Sequence, residues 1–596
     1  MFPCGVIQRI DFIYKGFIVT VVAAIMTGTA FMANLSKPSF FIPVVLCLWA
    51  NSGLAQTLPV PSGIGQAMKE TRMPRPISEP PHASAPVIEQ PPEQPLAPSS
   101  GETLTVHAFA FEGAEFIAES DLQAALLRYK DRPLTMADIE EAAGQITALY
   151  RHRGYLLARA YLPRQDASGG TLLIQVVPGR FGQLTLQNNS LVRDDVIRRV
   201  FEPLKSAAAV SRESLERAML IVGDMPGAPL PTLTLAPGQA AGSSDFDINV
   251  GQGKRLDAYL LADNQGSRYT GKNRLSVGLD VNSPFGIADK FGVNAMSTDN
   301  GGLLNGRVAY GFPIGNDGLR AELAASKTTY ELGDDYTDLD ATGESRTLEG
   351  TLSYALLRSR DQTLAVSLNA TSKHMCDDID AVDVRSPKKA NVGTLTLQRD
   401  AWRRVFDLPS YTNISVSWSH GQVSISDPVQ RALNRAGANT IGNYDRLNLD
   451  WQGSIDLLNG WNLNTTASAQ KALHNKNLDT SEQLGIAGSN GVKVYREWVG
   501  GDNGYLLGAD LRYALPMSAG FKHSIGPFGD VGRSYLQNSD YANSNSTRLA
   551  DVGLAYEMRR HGVSARIQWL RAAGPAPRVS QGDGVTRVLA QIGVQY

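Results

Sequence analysis

Few residues of this 596-residue chain have both the type and the spacing for bond-making chemistry. Gly253-Lys254 and Gly271-Lys272 lack the Ser or Thr that must follow in a phosphate-cradling G-x-x-x-x-G-K-[ST] loop. No H-E-x-x-H and no G-x-S-x-G occurs, so neither a zinc-protease pair nor a nucleophile elbow is present. The eight His are scattered, and His107 and His152 read as surface or packing residues, not metal ligands. No enzyme activity, cofactor or metal is expected. What remains is a set of ionisable and polar residues at every second position of apolar-rich segments: Asp510 and Arg512, Asp551 and Glu557, Arg566 and Gln568, Arg587 and Gln591. Charges placed this way line water.

Those segments define the elements that carry them. From Arg255 to Tyr596 the chain reads as about sixteen strands. Tyr505, Leu507, Ala509, Leu511, Tyr513 and Leu515 share the face opposite Asp510 and Arg512. Ala550, Val552, Leu554, Tyr556 and Met558 oppose Asp551 and Glu557, and Val563, Ala565, Ile567 and Trp569 oppose Arg566 and Gln568. In the last strand Val588, Ala590, Ile592, Val594 and Tyr596 oppose Arg587, Gln591 and Gln595, and only Leu589 breaks the polar row. Period two with one apolar face is strand patterning. The connections alternate in length. Short ones are expected at Asp299 to Gly301, Gly315 to Gly318, Arg358 to Asp361, Trp402 to Pro409, Asp456 to Gly460, Pro516 to Gly520 and Arg559 to Gly562. Long ones are expected at Glu331 to Ser345, Ser372 to Lys389, Gln422 to Gly442, Ala472 to Asn503, Ser534 to Thr547 and Ala572 to Gly584. An up-and-down outer-membrane barrel has short periplasmic turns and long outer loops, so both ends of the barrel are placed in the periplasm. Tyr596 falls on the lipid face, where an aromatic anchors at an interface.

Upstream, residues 1–55 read as a signal region. Its apolar centre is Phe40 to Trp49 and its small-residue site is Gly53-Leu54-Ala55. A second apolar stretch, Gly16 to Ala33, is explained by a start at Met32, by a long signal or by an anchor. Beyond residue 55 no apolar run is long enough for a membrane helix. Cys4 and Cys47 leave with the signal, so Cys376 stands alone and no internal disulfide is expected. With 56 basic and 58 acidic residues the chain has no basic excess for nucleic acid. Residues 56–103 form a Pro-rich linker, in which Gly63 to Arg72 is either a short plug helix or plain linker.

Residues 104–179 form a β-α-α-β-β unit. Val106, Ala108 and Ala110 share a strand face, Ser120 caps one helix, and Thr135 with Asp138 caps a second that carries Ile139, Ala142, Ile146 and Tyr150. Strands follow at Tyr155 to Leu162 and Thr171 to Val177. Residues 180–252 repeat the order, and the barrel takes 253–596. The expected fold class is therefore α+β repeats followed by a 16-stranded antiparallel transmembrane β-barrel.

Tyr150-Arg151-His152-Arg153-Gly154-Tyr155, Tyr161-Leu162-Pro163-Arg164-Gln165-Asp166 and Gln175-Val176-Val177-Pro178-Gly179 resemble the first POTRA domain of two-partner secretion (type Vb) outer-membrane transporters. These are the TpsB proteins, ShlB- and FhaC-like, of the POTRA–barrel superfamily that includes BamA. Ala262 to Gly271 resembles the family's first barrel hairpin. Gly491-Val492-Lys493-Val494-Tyr495, followed by Gly501 to Tyr505, resembles its sixth-loop motif and next strand. Pro527-Phe528-Gly529-Asp530-Val531-Gly532 resembles the strand after that. The resemblance spans about residues 104–596.

It implies a pore that recognises a TpsA-like exoprotein in the periplasm of a Gram-negative cell and exports it without ATP. The client would be of haemolysin, adhesin or haem-acquisition type. Tyr155, Tyr161, Pro163, Gln165 and Asp166 would form the client-docking motif. Val492, Lys493, Val494 and Tyr495 would form the sixth-loop motif, and Phe528, Asp530 and Gly532 its luminal partner. Tyr596 would be the C-terminal assembly signal read by the barrel-assembly machinery, with outer-membrane lipid and lipopolysaccharide as further partners. Lys493 departs from the Arg usual in the motif and loses its planar fork; Val494 stands where a small residue is usual. The alternative is a BamA- or TamA-like insertase, which shares the loop and Asp motifs and usually has three or five repeats where two are found here.

Overall fold

The computed structural model describes residues 63–71, 86–89 and 103–596, apart from 178, 208, 240–242, 543 and 575–584. The signal region, most of the Pro-rich linker and part of the last long loop lie outside the described residues. Two short elements of the linker are described: α1 (Ile64–Glu70) and β1 (Val87–Glu89).

The first repeat holds β2 (Thr103–Val106), β3 (Ala108–Glu112), α2 (Glu119–Leu126), β4 (Arg132–Thr135), α3 (Met136–His152), β5 (Arg159–Tyr161) and β6 (Thr171–Val177). α3 starts as its sequence dictates. Asp138 donates its N–H to the Thr135 hydroxyl at 3.2 Å and accepts the Thr135 N–H at 2.8 Å. The bonds from Thr135 hold the Asp138 carboxyl below the usual carboxylate range. Its stripe Ile139, Ala142, Ile146 and Tyr150 packs on Leu122, Leu172, Ile174 and Val176. Burial pushes the Tyr150 hydroxyl up to about 12.

Four expectations for this unit change. The opening strand breaks at His107, whose N–H goes to Gly170; the break reverses the inward face, so Val106 and Phe109 are buried and Ala108 is not. A further strand, β4, pairs with β2 between the helices and leaves β3–β6–β5 as the main sheet. α2 begins at Glu119 with Ala118 at its cap, so Ser120 lies inside the first turn. The expected strand Tyr155 to Leu162 shrinks to three residues, because the N–H groups of Tyr155, Leu156 and Ala158 close local turns.

The second repeat holds β7 (Arg180–Asn188), α4 (Asp194–Lys205), α5 (Arg212–Gly223), β8 (Thr232–Pro237) and β9 (Ser243–Val250). Its core is Ile197, Phe201, Leu215, Met219, Leu233, Phe246 and Ile248. Its sheet runs β1–β8–β9–β7, with the linker strand β1 laid parallel on the β8 edge.

Sixteen strands then close a barrel in sequence order. They are β10 (Leu256–Asp263), β11 (Arg274–Asn282), β12 (Lys290–Thr298), β13 (Leu303–Ile314), β14 (Leu319–Glu331), β15 (Ala341–Arg358), β16 (Gln362–Ile379), β17 (Val384–Val405), β18 (Leu408–Ile425), β19 (Gly442–Asp456), β20 (Trp461–Ala472) and, after β21 (Leu484–Gly485) and β22 (Gly500–Gly501) within a loop, β23 (Asn503–Ser518), β24 (Phe521–Tyr535), β25 (Ser546–Arg560), β26 (Val563–Ala572) and β27 (Thr586–Gln595). β27 returns to β10 through Leu260↔Val594. Leu507, Val552, Leu554, Ile567, Trp569 and Val588 face outward and are exposed, whereas Asp551, Glu557 and Gln568 face inward.

The second repeat is bolted to the turn end of the barrel. Arg358 pairs with Asp224 at 2.7 Å and Arg217 with Asp317 at 3.2 Å, and Ala288 joins the repeat's core. Those contacts fix which end is periplasmic, and they correct one turn. Asp299 to Gly301 is short but lies at the outer end, where the Thr298 hydroxyl bonds the Thr270 carbonyl and the Glu331 N–H bonds Gly302. The first periplasmic turn is residues 283–289. Two long loops are also more ordered than expected. Ser372 to Lys389 is mostly paired strand, continuing to Ile379↔Val384, and Gln422 to Gly442 contains α6 (Pro428–Ala436).

Candidate functional site

The lumen is obstructed from two directions. The sixth outer connection, residues 473–502, folds into the barrel. Its Val492, Val494 and Tyr495 are buried with Ile486, Phe528, Leu549, Leu570 and Leu589. Leu589 is the residue that breaks the polar row of the last strand: the wall turns apolar side chains inward where the loop sits.

At the loop tip Lys493 Nζ lies 2.5 Å from Asp530 Oδ2 and 5.6 Å from the centre of the Phe528 ring. Gly508 pairs opposite Asp530, and a Cβ there would come within 2.7 Å of its Oδ1. Gly532 lies under the loop, where a Cβ would meet that of Ile486 at 3.0 Å. The structure thus brings together Val492, Lys493, Val494, Tyr495, Phe528, Asp530 and Gly532.

Two partners had been missed. Asp551, opposite Asp530 on the next strand, accepts the Val494 N–H at 2.8 Å. Arg587 donates to the Lys493 carbonyl at 3.0 Å. Both lie on inward faces that alternation had identified, but nothing in their spacing singles them out from other luminal charges.

The base of the loop is held by ions. Glu482 pairs with Lys373 at 2.6 Å and Arg446 at 3.1 Å, and Asp479 with Lys388 at 3.2 Å. Asp502 accepts the N–H groups of Leu478 and Gln537. Glu497 accepts the Ser267 hydroxyl and the Arg268 N–H, joining the loop to the first hairpin.

α1 is the second obstruction. Its Ile64 N–H reaches Asp377 at 2.6 Å, and Tyr330 donates to the same carboxylate at 2.8 Å. Ile64 and Ala67 are buried among Tyr330, Met375 and Tyr444 on inner strand faces and Tyr269 of the first outer connection. Gly65 lies so close to the loop base that a Cβ would meet Ser481 N at 2.7 Å. The candidate plug in the linker is therefore a helix inside the barrel. A cavity of about 1190 Å³ opens toward the periplasmic turns and reaches Lys493, and one of about 770 Å³ lies beside α1.

The first-repeat residues expected to dock a client mostly make contacts within that repeat. Tyr155 stacks on Phe116 with centroids 5.1 Å apart. The Gln165 amide bonds both the N–H and the carbonyl of Leu173 and reaches the Pro163 carbonyl, and Asp166 accepts the Ser168 N–H. Tyr161 remains 42 % exposed on edge strand β5, its hydroxyl on Gln175. Tyr596 is exposed past the end of β27, and its N–H bonds the Ala258 carbonyl.

Residues 242–559 match the family model described as haemolysin secretion/activation protein ShlB/FhaC/HecB, and residues 104–179 match the ShlB-type POTRA domain. The chain is 26% identical over 459 residues to the heme/hemopexin transporter protein HuxB of Haemophilus influenzae, covering 75% of this chain and 80% of that protein. It is 25% identical over 195 residues to the outer membrane transporter CdiB of Dickeya dadantii, covering 33% and 34%. The fold is similar to that of CdiB from Escherichia coli, with a TM-score of 0.68 at 19% identity over 85% of this chain and 93% of that one.

Proposed function

The chain belongs to the haemolysin secretion/activation family ShlB/FhaC/HecB: it is an outer-membrane two-partner secretion transporter that exports a partner protein, and we propose the following route for that client. The observation that carries the route is the doubly obstructed lumen joined to periplasmic repeats by a single linker. An extended client segment adds to a POTRA sheet edge by backbone pairing, with Tyr161 beside it on β5. The β8 edge of the second repeat is covered by β1, which belongs to the same linker as α1. A client that takes the β8 edge displaces β1 and pulls on α1 through residues 71–86, which span at most about 50 Å when extended. Release of α1 removes one wall of the sixth-loop base, since Gly65 packs on Ser481. The Lys493–Asp530 contact then opens and the chain passes along the polar wall. Folding of the client outside the cell makes passage one-way.

HuxB is the relative matched over the greatest length among those described, and its name places it in heme/hemopexin transport. We assign the client to the haem-acquisition class on that basis. The test is deletion in the native host. Loss of one secreted protein with an unchanged outer-membrane proteome supports export; a general loss of barrel proteins would instead mean insertase activity. Haem-limited growth then separates the client classes: normal growth on haem–protein complexes without the transporter rejects the haem assignment alone.

A further inference from the structure

The lipid-facing wall of β14 to β17 carries a feature that export does not use. Cross-strand partners share a face. Lys327 pairs with Arg346, Arg346 with His374, and His374 with Lys389. Their neighbours Thr328, Ser345, Thr347, Met375 and Ala390 are buried on the luminal side, so these four point outward. They make a continuous row of basic side chains across four adjacent strands, at the ends that lead to the outer loops.

The row lies just beyond the apolar belt. Two positions nearer the membrane centre stand Ala325 and Leu348, with the polar pair Ser372 and Asn391 beside them, and the next row inward contains Leu323, Gly350, Ala370 and Gly393. One strand residue advances about 3.4 Å, so the basic row begins about 7 Å from the last apolar side chains. Across this belt runs a groove of about 1000 Å³, bounded by Val308, Leu323, Leu348, Gly350, Ala370 and Gly393, with Ser372, Asn391, His420 and Gln422 along one edge. Its floor is shallow because two of those positions have no side chain and one has only a methyl.

The local charge is positive. Glu344 pairs with Lys327 at 2.7 Å and with Arg346 at 2.5 Å, and Glu331 stands exposed on the same face farther out on β14. Arg385 farther out is matched by Asp378 at 3.4 Å. Lys327, Arg346, Lys389 and Arg385 thus outnumber Glu344, Asp378 and Glu331 by one, with His374 among them. A membrane-facing site with cations at headgroup level and an apolar trough beneath fits a lipid with several phosphate charges and laterally spread acyl chains. A protein partner is disfavoured, because the trough lies within the lipid belt.

We propose that this wall binds lipopolysaccharide, with lipid A phosphates on Lys327, Arg346, His374 and Lys389 and an acyl chain in the groove. Phosphate recognition by a fixed guanidinium and flanking ammonium groups supplies the charge-assisted bonds, and occupancy of the groove supplies selection for a multi-acyl lipid.

The test is native mass spectrometry of the full-length transporter released from detergent with added hexa-acyl lipid A. The wild type is expected to retain one lipid A, and K327Q/R346Q/K389Q to retain at least tenfold less. G350L/G393L fills the groove without touching the cations, and it too is expected to lose at least tenfold. The charge control R533Q/R548Q, on outward positions of β24 and β25 away from the groove, is expected to behave as wild type. Heat-modifiable electrophoretic mobility checks that each variant is a folded barrel, and the groove variant keeps the test valid if the charge variant fails to insert. Equal retention by all variants would overturn the proposal, as would an equal loss in the control, or equal retention of phosphatidylglycerol. Competition by millimolar inorganic phosphate would also overturn it, by showing a headgroup-only anion site.

Discussion

Lys493 and Asp530 form the contact by which the loop-tip mechanism is most directly tested. In Lys493→Ala the Asp530 carboxylate, its side chain 9% exposed, loses its cation and is left facing Asp551 on the neighbouring strand. A charge-assisted hydrogen bond contributes about 1.5–3 kcal/mol. The lumen holds water and the lysine is 22% exposed, so the lower half of that range applies, about 2 kcal/mol. That converts to roughly a 30-fold shift from the seated to the released loop, at 1.4 kcal/mol per factor of ten. Asp530→Ala should shift less, by about fivefold, because the Lys493 ammonium can turn to Asp551. The assay is open-state occupancy of the full-length protein in planar bilayers, with secretion measured in parallel. Both single variants should insert normally, open more often and secrete less. Lys493→Arg, which restores the family's usual residue, should stay within about threefold of wild type. The double variant should resemble Lys493→Ala, giving a coupling near 1 kcal/mol. A coupling below about 0.3 kcal/mol, with unchanged secretion in both single variants, would refute the latch.

Gly65→Val should expel α1, because its side chain would enter Ser481; bilayer conductance should rise while thermal stability of the barrel is kept. A disulfide joining Glu89→Cys to Thr234→Cys, in a Cys376→Ser background, should hold β1 on β8 and stop secretion until reductant is added; unimpeded secretion would reject displacement of β1. Arg358→Asp should loosen the second repeat from the barrel, and adding Asp224→Arg should restore protection of the Arg358 turn from protease. Thr135→Ala should cost the isolated signal of the first repeat about 1 kcal/mol in a full-length denaturation profile. The Asp138 share of that stability has a defined pH sign: its folded pKa is depressed, so the contribution is present above the ordinary Asp value and is lost as pH falls through the folded one.

The sequence by itself determined the barrel, because closure needs only period-two alternation and turns, and both are local properties. Asp551, Glu557, Arg566 and Arg587 could be placed on the luminal face without knowing any neighbour. The capping box of Thr135 and Asp138 was legible for the same reason, as donor and acceptor lie three residues apart. Tertiary structure alone decided what those faces touch. Leu589 looked like an error in a polar row until the sixth loop was seen lying on it. Asp551 became a partner of Val494 only through a strand register and a loop, 57 positions earlier in the chain, that folds back into the barrel. His107 reversed the face of the first strand because a backbone carbonyl at Gly170 claimed its N–H. Asp299 to Gly301 moved to the outer end because turn length reports geometry and not side, and only the bolting of the second repeat to Asp317 and Arg358 says which end is which. The basic row on β14 to β17 is the same case: its four residues lie as far as 62 positions apart, and register alone makes them neighbours.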